Sequence, residues 1–352
     1  MPAVPLVRVV RGGIIEAVHL GHVAVCDADG RLIASAGDPD RMVFARSCMK
    51  PLQAAVSLTA IGEELPDRET AIMCASHNGE PIHVGAVRAL LERAGLEADA
   101  LMNPPGWPLD PEAMAASQHQ HKLLHNCSGK HAGMLLACVC AGWDPQTYLR
   151  SSHPLQRRVL RAVRQASGVN ELEMSVDGCG VPVHGMPLRS MATLFARLTE
   201  PERLGGLASA ADRATRAMLA DPYLVGGRHR VDTDVMRVTG EVIAKSGAEA
   251  LECAAILPSG LGVAVKVEDG GGRAAAPALI KALHDVEGLS APQLKQLSRY
   301  ASPTIVGGGK RVGALEVVFD LRAAGQRAGQ RASRRAGQRA SKKSASLARR
   351  RA

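Results

Sequence analysis

Short aliphatic runs broken by turn residues fill the start of the chain, and longer stretches with helical spacing fill its middle. Positions 6–10, 14–20, 22–26 and 31–35 read as strands. Asp27-Ala28-Asp29-Gly30 joins the last two and signals a hairpin. Apolar residues then recur at helical spacing over 52–61, 86–94, 130–140, 154–166, 187–198, 213–219, 232–243 and 277–286. Runs at 254–257 and 262–267 predict strands, the second followed by the turn Glu268-Asp269-Gly270-Gly271-Gly272, and 314–319 predicts a closing strand. Pro104-Pro105-Gly106-Trp107-Pro108 reads as a rigid loop. Strands at both ends with helices between predict an α+β fold, an α/β sandwich. In it an antiparallel sheet with paired terminal strands is covered by helices.

Pro51 sharpens one boundary. Proline is tolerated in a helix's first turn but not in its interior. The helix over 52–61 therefore begins near Lys50 and places Ser47 at its N-terminal end, where backbone N–H groups lack intrahelical partners.

Composition changes the picture at the C-terminus. The net charge is +9, yet eleven Lys and Arg residues and no acid lie from Arg322 onward, so the remainder is slightly acidic. Gly-Gln-Arg-Ala recurs at 325–328, 329–332 and 337–340, with Leu347 as the lone large apolar residue. Such a segment buries too little surface to offset its ordering entropy, so disorder is expected. The division is a folded unit over 1–321 and a basic tail over 322–352. Non-specific contact between the tail and nucleic acid is one reading, because basic tails bind phosphates. A solvated extension is the favoured one, since aromatics are only 2% and base stacking needs them. Hydrophobic residues make up 46%, enough for a real core, and with so few aromatics that core is aliphatic. No apolar run reaches membrane-spanning length, no secretory signal is visible, and eight dispersed cysteines do not suggest a disulfide scaffold. A cytoplasmic protein with reduced thiols is expected.

Candidate chemistry begins with Ser47-x-x-Lys50. Residues three apart share a helical face, and a neutral lysine there can take the serine proton. With 21 Ser and 10 Lys in 352 residues, chance alone supplies roughly 0.6 such pairs. Four further segments accompany it: Ser76-His77-Asn78-Gly79-Glu80, His125 to Gly133, Asp177-Gly178-Cys179-Gly180 and Lys266 to Gly270. Each has an ordinary alternative. Asn78-Gly79 favours a turn, Cys127 and Cys179 suit buried thiols, and Lys266 suits an exposed strand end. The seven positions from His125 to His131 are harder to explain that way. They hold two His, Asn, Cys, Ser and Lys.

Arg-Ser-x-x-Lys-Pro, Ser-His-Asn-Gly-Glu, Asn-Cys-Ser-Gly-Lys-His-Ala-Gly and Asp-Gly-Cys-Gly, in that order, make the chain resemble the rhizobial-type (class 3) L-asparaginases. The resemblance covers about residues 5–320. It implies the serine β-lactamase/DD-peptidase-like fold, hydrolysis of L-asparagine to L-aspartate and ammonia, and a homodimer. It also implies two Ser–Lys tandems, Ser47 with Lys50 and Ser76 with Lys266. Ser47 is then the nucleophile, with Arg46 beside it. Substrate contacts are implied for Arg46, His77, Asn78 and Asp177. Zinc is implied on Cys127, Lys130 and Cys179, with His131 and Asp177 around it and Cys253 near the pocket. Spacing would not predict that site: Cys127 and Cys179 form no standard zinc signature, and lysine binds metal only when neutral. Other Ser-x-x-Lys acyl hydrolases remain alternatives: glutaminases, β-lactamases, DD-peptidases and esterases.

Overall fold

The computed structural model describes residues 1–324. Its centre is a nine-stranded antiparallel sheet. The strands are β1 (Val4–Arg11), β2 (Ile14–Cys26), β3 (Leu32–Ala36), β7 (Val242–Gly247), β8 (Leu251–Ile256), β9 (Leu261–Val267), β10 (Thr304–Gly307), β11 (Lys310–Val317) and β12 (Arg322–Ala323). The main order is β10-β11-β1-β2-β9-β8-β7. β3 adds to β2, and β12 to β3. The terminal strands pair as expected, with Val9 opposite Leu315. A small sheet, β4 (Met42–Phe44), β6 (Pro182–Pro187) and β5 (Glu173–Val176), stands apart in that order.

Four local readings need correction. The runs at 14–20 and 22–26 form one strand, because β2 passes its pairing through Gly21, opposite Val4 on one side and Val267 on the other. The expected helix over 232–243 stops at Thr239. Gly240 takes φ 65° as its left-handed cap, and Val242 starts β7. The small sheet was not expected, since its strands are only three to six residues long. Arg322 and Ala323, assigned to the tail by composition, pair with Ser35 and Ala34. The rest of the expected tail lies outside the described residues.

The helices that matter for the site are α1 (Lys50–Ile61), α2 (Asp67–Met73), α3 (Pro81–Arg93), α4 (Ser128–Cys140), α5 (Pro154–Ser167), α6 (Leu188–Arg197), α7 (Ala208–Ala220), α8 (Val231–Thr239) and α9 (Gly272–Asp285). Both α6 and α9 pack on β9, whose residues Gly262, Val263, Ala264 and Val265 are all buried. A strand without an exposed face needs cover on both sides. α1 is buried on nearly every face and packs against α4, α5 and α7, so it is the centre of a helical layer. Pro51 sits in its first turn and Gly62 closes it in the left-handed conformation. No helix among the described residues is long and apolar enough to cross a membrane.

Candidate active site

Ser47 lies where β4 ends and α1 begins, on a 3-10 turn spanning Arg46–Met49. Arg46, immediately before it, has φ 45°, a left-handed conformation uncommon for a residue with a side chain. The turn is held from both ends. Arg46 Nε donates to Asp177 Oδ1 at 2.8 Å, and the next residue, Cys48, turns its thiol to the Lys245 carbonyl at 3.0 Å. Strained backbone of this kind persists only where its surroundings fix it, and it clusters at reactive sites. Among the described residues the Ser47 hydroxyl has no hydrogen-bond partner, and the residue is half-buried.

Lys50 is 1% exposed. Its ammonium donates to the Ala75 carbonyl at 2.5 Å, to Ser76 Oγ at 2.9 Å and to the Asn126 carbonyl at 3.4 Å. Burial pulls its pKa down to about 8 against the nearby Cys127 and Cys179, and Lys130 and Lys245 pull the same way as burial. The structure thus joins Lys50 to Ser76, while Ser47 sits three residues before this lysine with its hydroxyl free of it.

Lys266 does not join them. It lies opposite Leu251 on β8, and Leu251 lies opposite Gly247 on β7, so it is two strands removed from the strand beside Ser47. Its ammonium donates to the carbonyls of Glu249 and Val267. The lysine at hydrogen-bond distance of Ser76 is Lys50, and the second buried lysine of the site is Lys245. Lys245 is fully buried, pairs with Asp232 at 3.0 Å and donates to the Ser246 carbonyl at 2.8 Å. Asp232 also accepts from Ser246 N at 3.1 Å and from its hydroxyl. Lys245 holds the carboxyl of Asp232 down at about 2, although burial opposes this. Glu252 is the neighbouring buried acid; burial and Asp232 push it up to about 8. The sequence signal was a lysine inside an aliphatic run, Val242-Ile243-Ala244-Lys245, followed by Ser246-Gly247. Reading a helix through Gly240 concealed it.

His77 and Asn78 face inward. His77 pairs through Nε2 with Ser128 Oγ at 2.9 Å and through Nδ1 with the Gly79 N–H. Asn78 donates to the Arg228 carbonyl at 2.9 Å and accepts from Arg230 at 3.3 Å. Their polar atoms are engaged by the protein, so they shape the segment 76–80. The loop 225–230 runs alongside it: Ser76 N donates to the Val225 carbonyl and Asn78 N to the Gly226 carbonyl.

Cys127, Lys130 and Cys179 do converge. Cys127 precedes α4, Lys130 lies in its first turn, and Cys179 comes from the turn before β6. Lys130 Nζ lies 3.0 Å from Cys179 Sγ. A hydrogen bond from Cys179, with Lys50 and Lys130 nearby, holds the Cys127 thiol well below its usual range against burial. Burial lowers the Lys130 pKa, but Cys179 and Cys127 outweigh it and the net direction is up. His131 sits against this cluster with Nδ1 on Tyr148 Oη at 2.6 Å and with Cys179 beside its ring. Among the described residues no three His, Cys, Asp or Glu side chains form a metal site. The donors here are two sulfurs and an amine, which suit a soft divalent cation once Lys130 yields its proton. Cys253 lies on β8 opposite Lys245, fully buried, and burial and the neighbouring Cys48 push its thiol up.

The β-lactamase from Mycobacterium bovis is 16% identical, with a TM-score of 0.44 over 76% of this chain and 95% of that one. The native form of Mglu is 15% identical, with a TM-score of 0.43 over 78% and 66%. Simvastatin synthase from Aspergillus terreus is 12% identical, with a TM-score of 0.37 over 70% and 86%. No curated protein matches the chain. The family model for L-asparaginase II matches residues 7–317, which include Ser47, Lys50, Ser76, Cys127, Lys130, Cys179 and Lys245. The chain therefore belongs to the L-asparaginase II family.

Proposed function

We propose that this protein hydrolyses the side-chain amide of L-asparagine, giving L-aspartate and ammonia, with Ser47 as nucleophile and Lys50 as base. One observation carries the reading. A lysine three residues from Ser47 is buried, its pKa is drawn down to about 8, and it contacts a second serine, Ser76. Neutral Lys50 takes the Ser47 proton as Oγ attacks the amide carbon. The oxyanion is stabilised by backbone N–H groups at the Ser47 turn. The proton passes from Lys50, directly or through Ser76, to the departing nitrogen, and ammonia leaves. Water then attacks the aspartyl ester with Lys50 again as base, which restores Ser47. Lys245 replaces Lys266 in this scheme, because its charge lies close enough to favour neutral Lys50.

Cys127, Lys130 and Cys179 would hold the zinc that the family resemblance implies. When bound it would supply a fixed positive charge beside the site. The homodimer belongs to the same reading, and sedimentation of the purified protein checks it.

The test is ammonia release from L-asparagine and L-glutamine, with nitrocefin hydrolysis followed by its colour change, for wild type and Ser47→Ala. Turnover of asparagine that disappears in the variant, with unchanged circular dichroism, supports the assignment. Near wild-type turnover in Ser47→Ala removes it, and preference for glutamine or nitrocefin moves the chain to a neighbouring acyl hydrolase.

A further inference from the structure

We infer that Arg230 binds the α-carboxylate of the amino-acid substrate and so selects free asparagine over other amides. The inference rests on the asparaginase reading above. In asparagine the reacting amide and the α-carboxylate are separated only by Cα and Cβ. A cation that holds the carboxylate must therefore lie close to Ser47, Lys50 and Ser76, and must not already be neutralised.

The cations around the site can be taken in turn. Arg46 is committed to Asp177 at 2.8 Å. Lys50 is enclosed by two carbonyls and Ser76. Lys130 is held against Cys179, and Lys245 against Asp232 at 3.0 Å. Arg228 faces Glu80, Asp110 and Glu112. Arg230 differs. One terminal nitrogen donates to the Ser76 carbonyl at 3.2 Å and to Asn78 Oδ1 at 3.3 Å. Its Nε and its other terminal nitrogen have no hydrogen bond, and it makes no ion pair, among the described residues. It is half-buried, so ligand can reach it. The buried acids Asp232 and Glu252 lie within electrostatic reach of Arg230 but make no ion pair with it, and the Asp232 carboxylate is engaged directly by Lys245 and Ser246.

The guanidinium is also held in place. Asn78 donates to the Arg228 carbonyl, which turns its Oδ1 towards Arg230. Gly227, at φ 111°, lets the loop lie directly on Asn78 and Glu80; a Cβ there would stand 2.5 Å from Glu80 Oε1. Arg230 thus contacts the main chain of the very residue whose hydroxyl accepts from Lys50. A planar guanidinium with two unpartnered donors is suited to bidentate capture of a carboxylate.

The test compares L-asparagine with 3-aminopropanamide, which has the same amide and amine but no α-carboxylate. Wild type and full-length Arg230→Ala are assayed on both, and L-aspartate binding is followed by calorimetry. A charge-assisted bidentate contact predicts that kcat/KM on asparagine falls ~10²-fold, mainly through KM. Turnover of 3-aminopropanamide should stay within about twofold, and L-aspartate binding should weaken in parallel. Equal losses on both substrates, or unchanged L-aspartate affinity, would overturn the inference. If Arg230→Ala fails to fold, Arg230→Lys is read in the same way and must raise KM for asparagine. A wild type that cleaves 3-aminopropanamide or glutamine but not asparagine rejects the asparaginase reading itself, and Arg230 falls with it.

Discussion

Lys50 and Lys130 are buried lysines on neighbouring helices, and each contributes to the other's electrostatic surroundings. Their protons are nevertheless driven in opposite directions. Lys50 donates to neutral oxygens of Ala75, Ser76 and Asn126, and burial outweighs the opposing pull of Cys127 and Cys179, so its pKa drops to about 8. The contact of Lys130 is Cys179, with Cys127 close by, and the two sulfurs outweigh burial. The difference shows that burial alone does not make a lysine a base. The balance decides: Cys127 and Cys179 oppose burial at both lysines but prevail only at Lys130, which Cys179 touches directly.

The largest expected effect comes from removing the base. Lys50→Met should lower asparagine turnover by ~10³-fold or more, because the nucleophile loses its activation. A variant retaining a tenth of wild-type activity would break the distinction between the two lysines. Lys245→Met follows, and its loss should appear as stability. It leaves the buried Asp232 carboxylate unpaired, which is expected to cost about 3–5 kcal/mol in a denaturant titration. Lys130→Met should cost less, ~1–3 kcal/mol, because Cys127 can take up a proton once its cation is gone. Thermal unfolding of the two variants side by side checks that order.

The pH profile sharpens the same contrast. The base is neutral Lys50, whose pKa is lowered, so activity rises with pH and levels off above about 8. Between pH 6 and pH 7, kcat/KM should rise about tenfold. A profile flat across that range excludes Lys50 as the titrating base. The smallest effect is expected for Lys266→Met, whose ammonium meets only carbonyls at the β8–β9 side of the sheet. Turnover within about twofold of wild type agrees with its exclusion from the site, and a loss comparable to Lys50→Met would restore it.

Much of this was readable in advance because it is local. The hairpin at Asp27–Gly30, the start of α1 at Lys50–Pro51 and the Cys127–Lys130 spacing all depend on residues a few positions apart. Lys245 was missed for a local reason as well. Reading a helix over 232–243 ignored the stop at Gly240 and hid the start of the strand Val242–Gly247 that carries Lys245. Choosing Lys266 as the partner of Ser76 failed differently. Sequence order says nothing about which strand lies beside the Ser47 turn, and β7 reaches that position only at the end of the sheet order.

The sequence by itself determined the α+β pattern, the motifs that mark the family and the position of Ser47 at the head of a helix. These follow from side-chain periodicity and backbone restrictions, which act over a few residues. Only the tertiary structure decided which lysine meets Ser76, which lysine lies against sulfur and which arginine beside the site makes no ion pair among the described residues. Those outcomes depend on burial and on charges brought together from distant segments: Lys50 with Ala75 and Asn126, Lys130 with Cys179, and Lys245 with Asp232. Electrostatic energies in a protein interior are set by that spatial arrangement, and no single segment of the chain contains it.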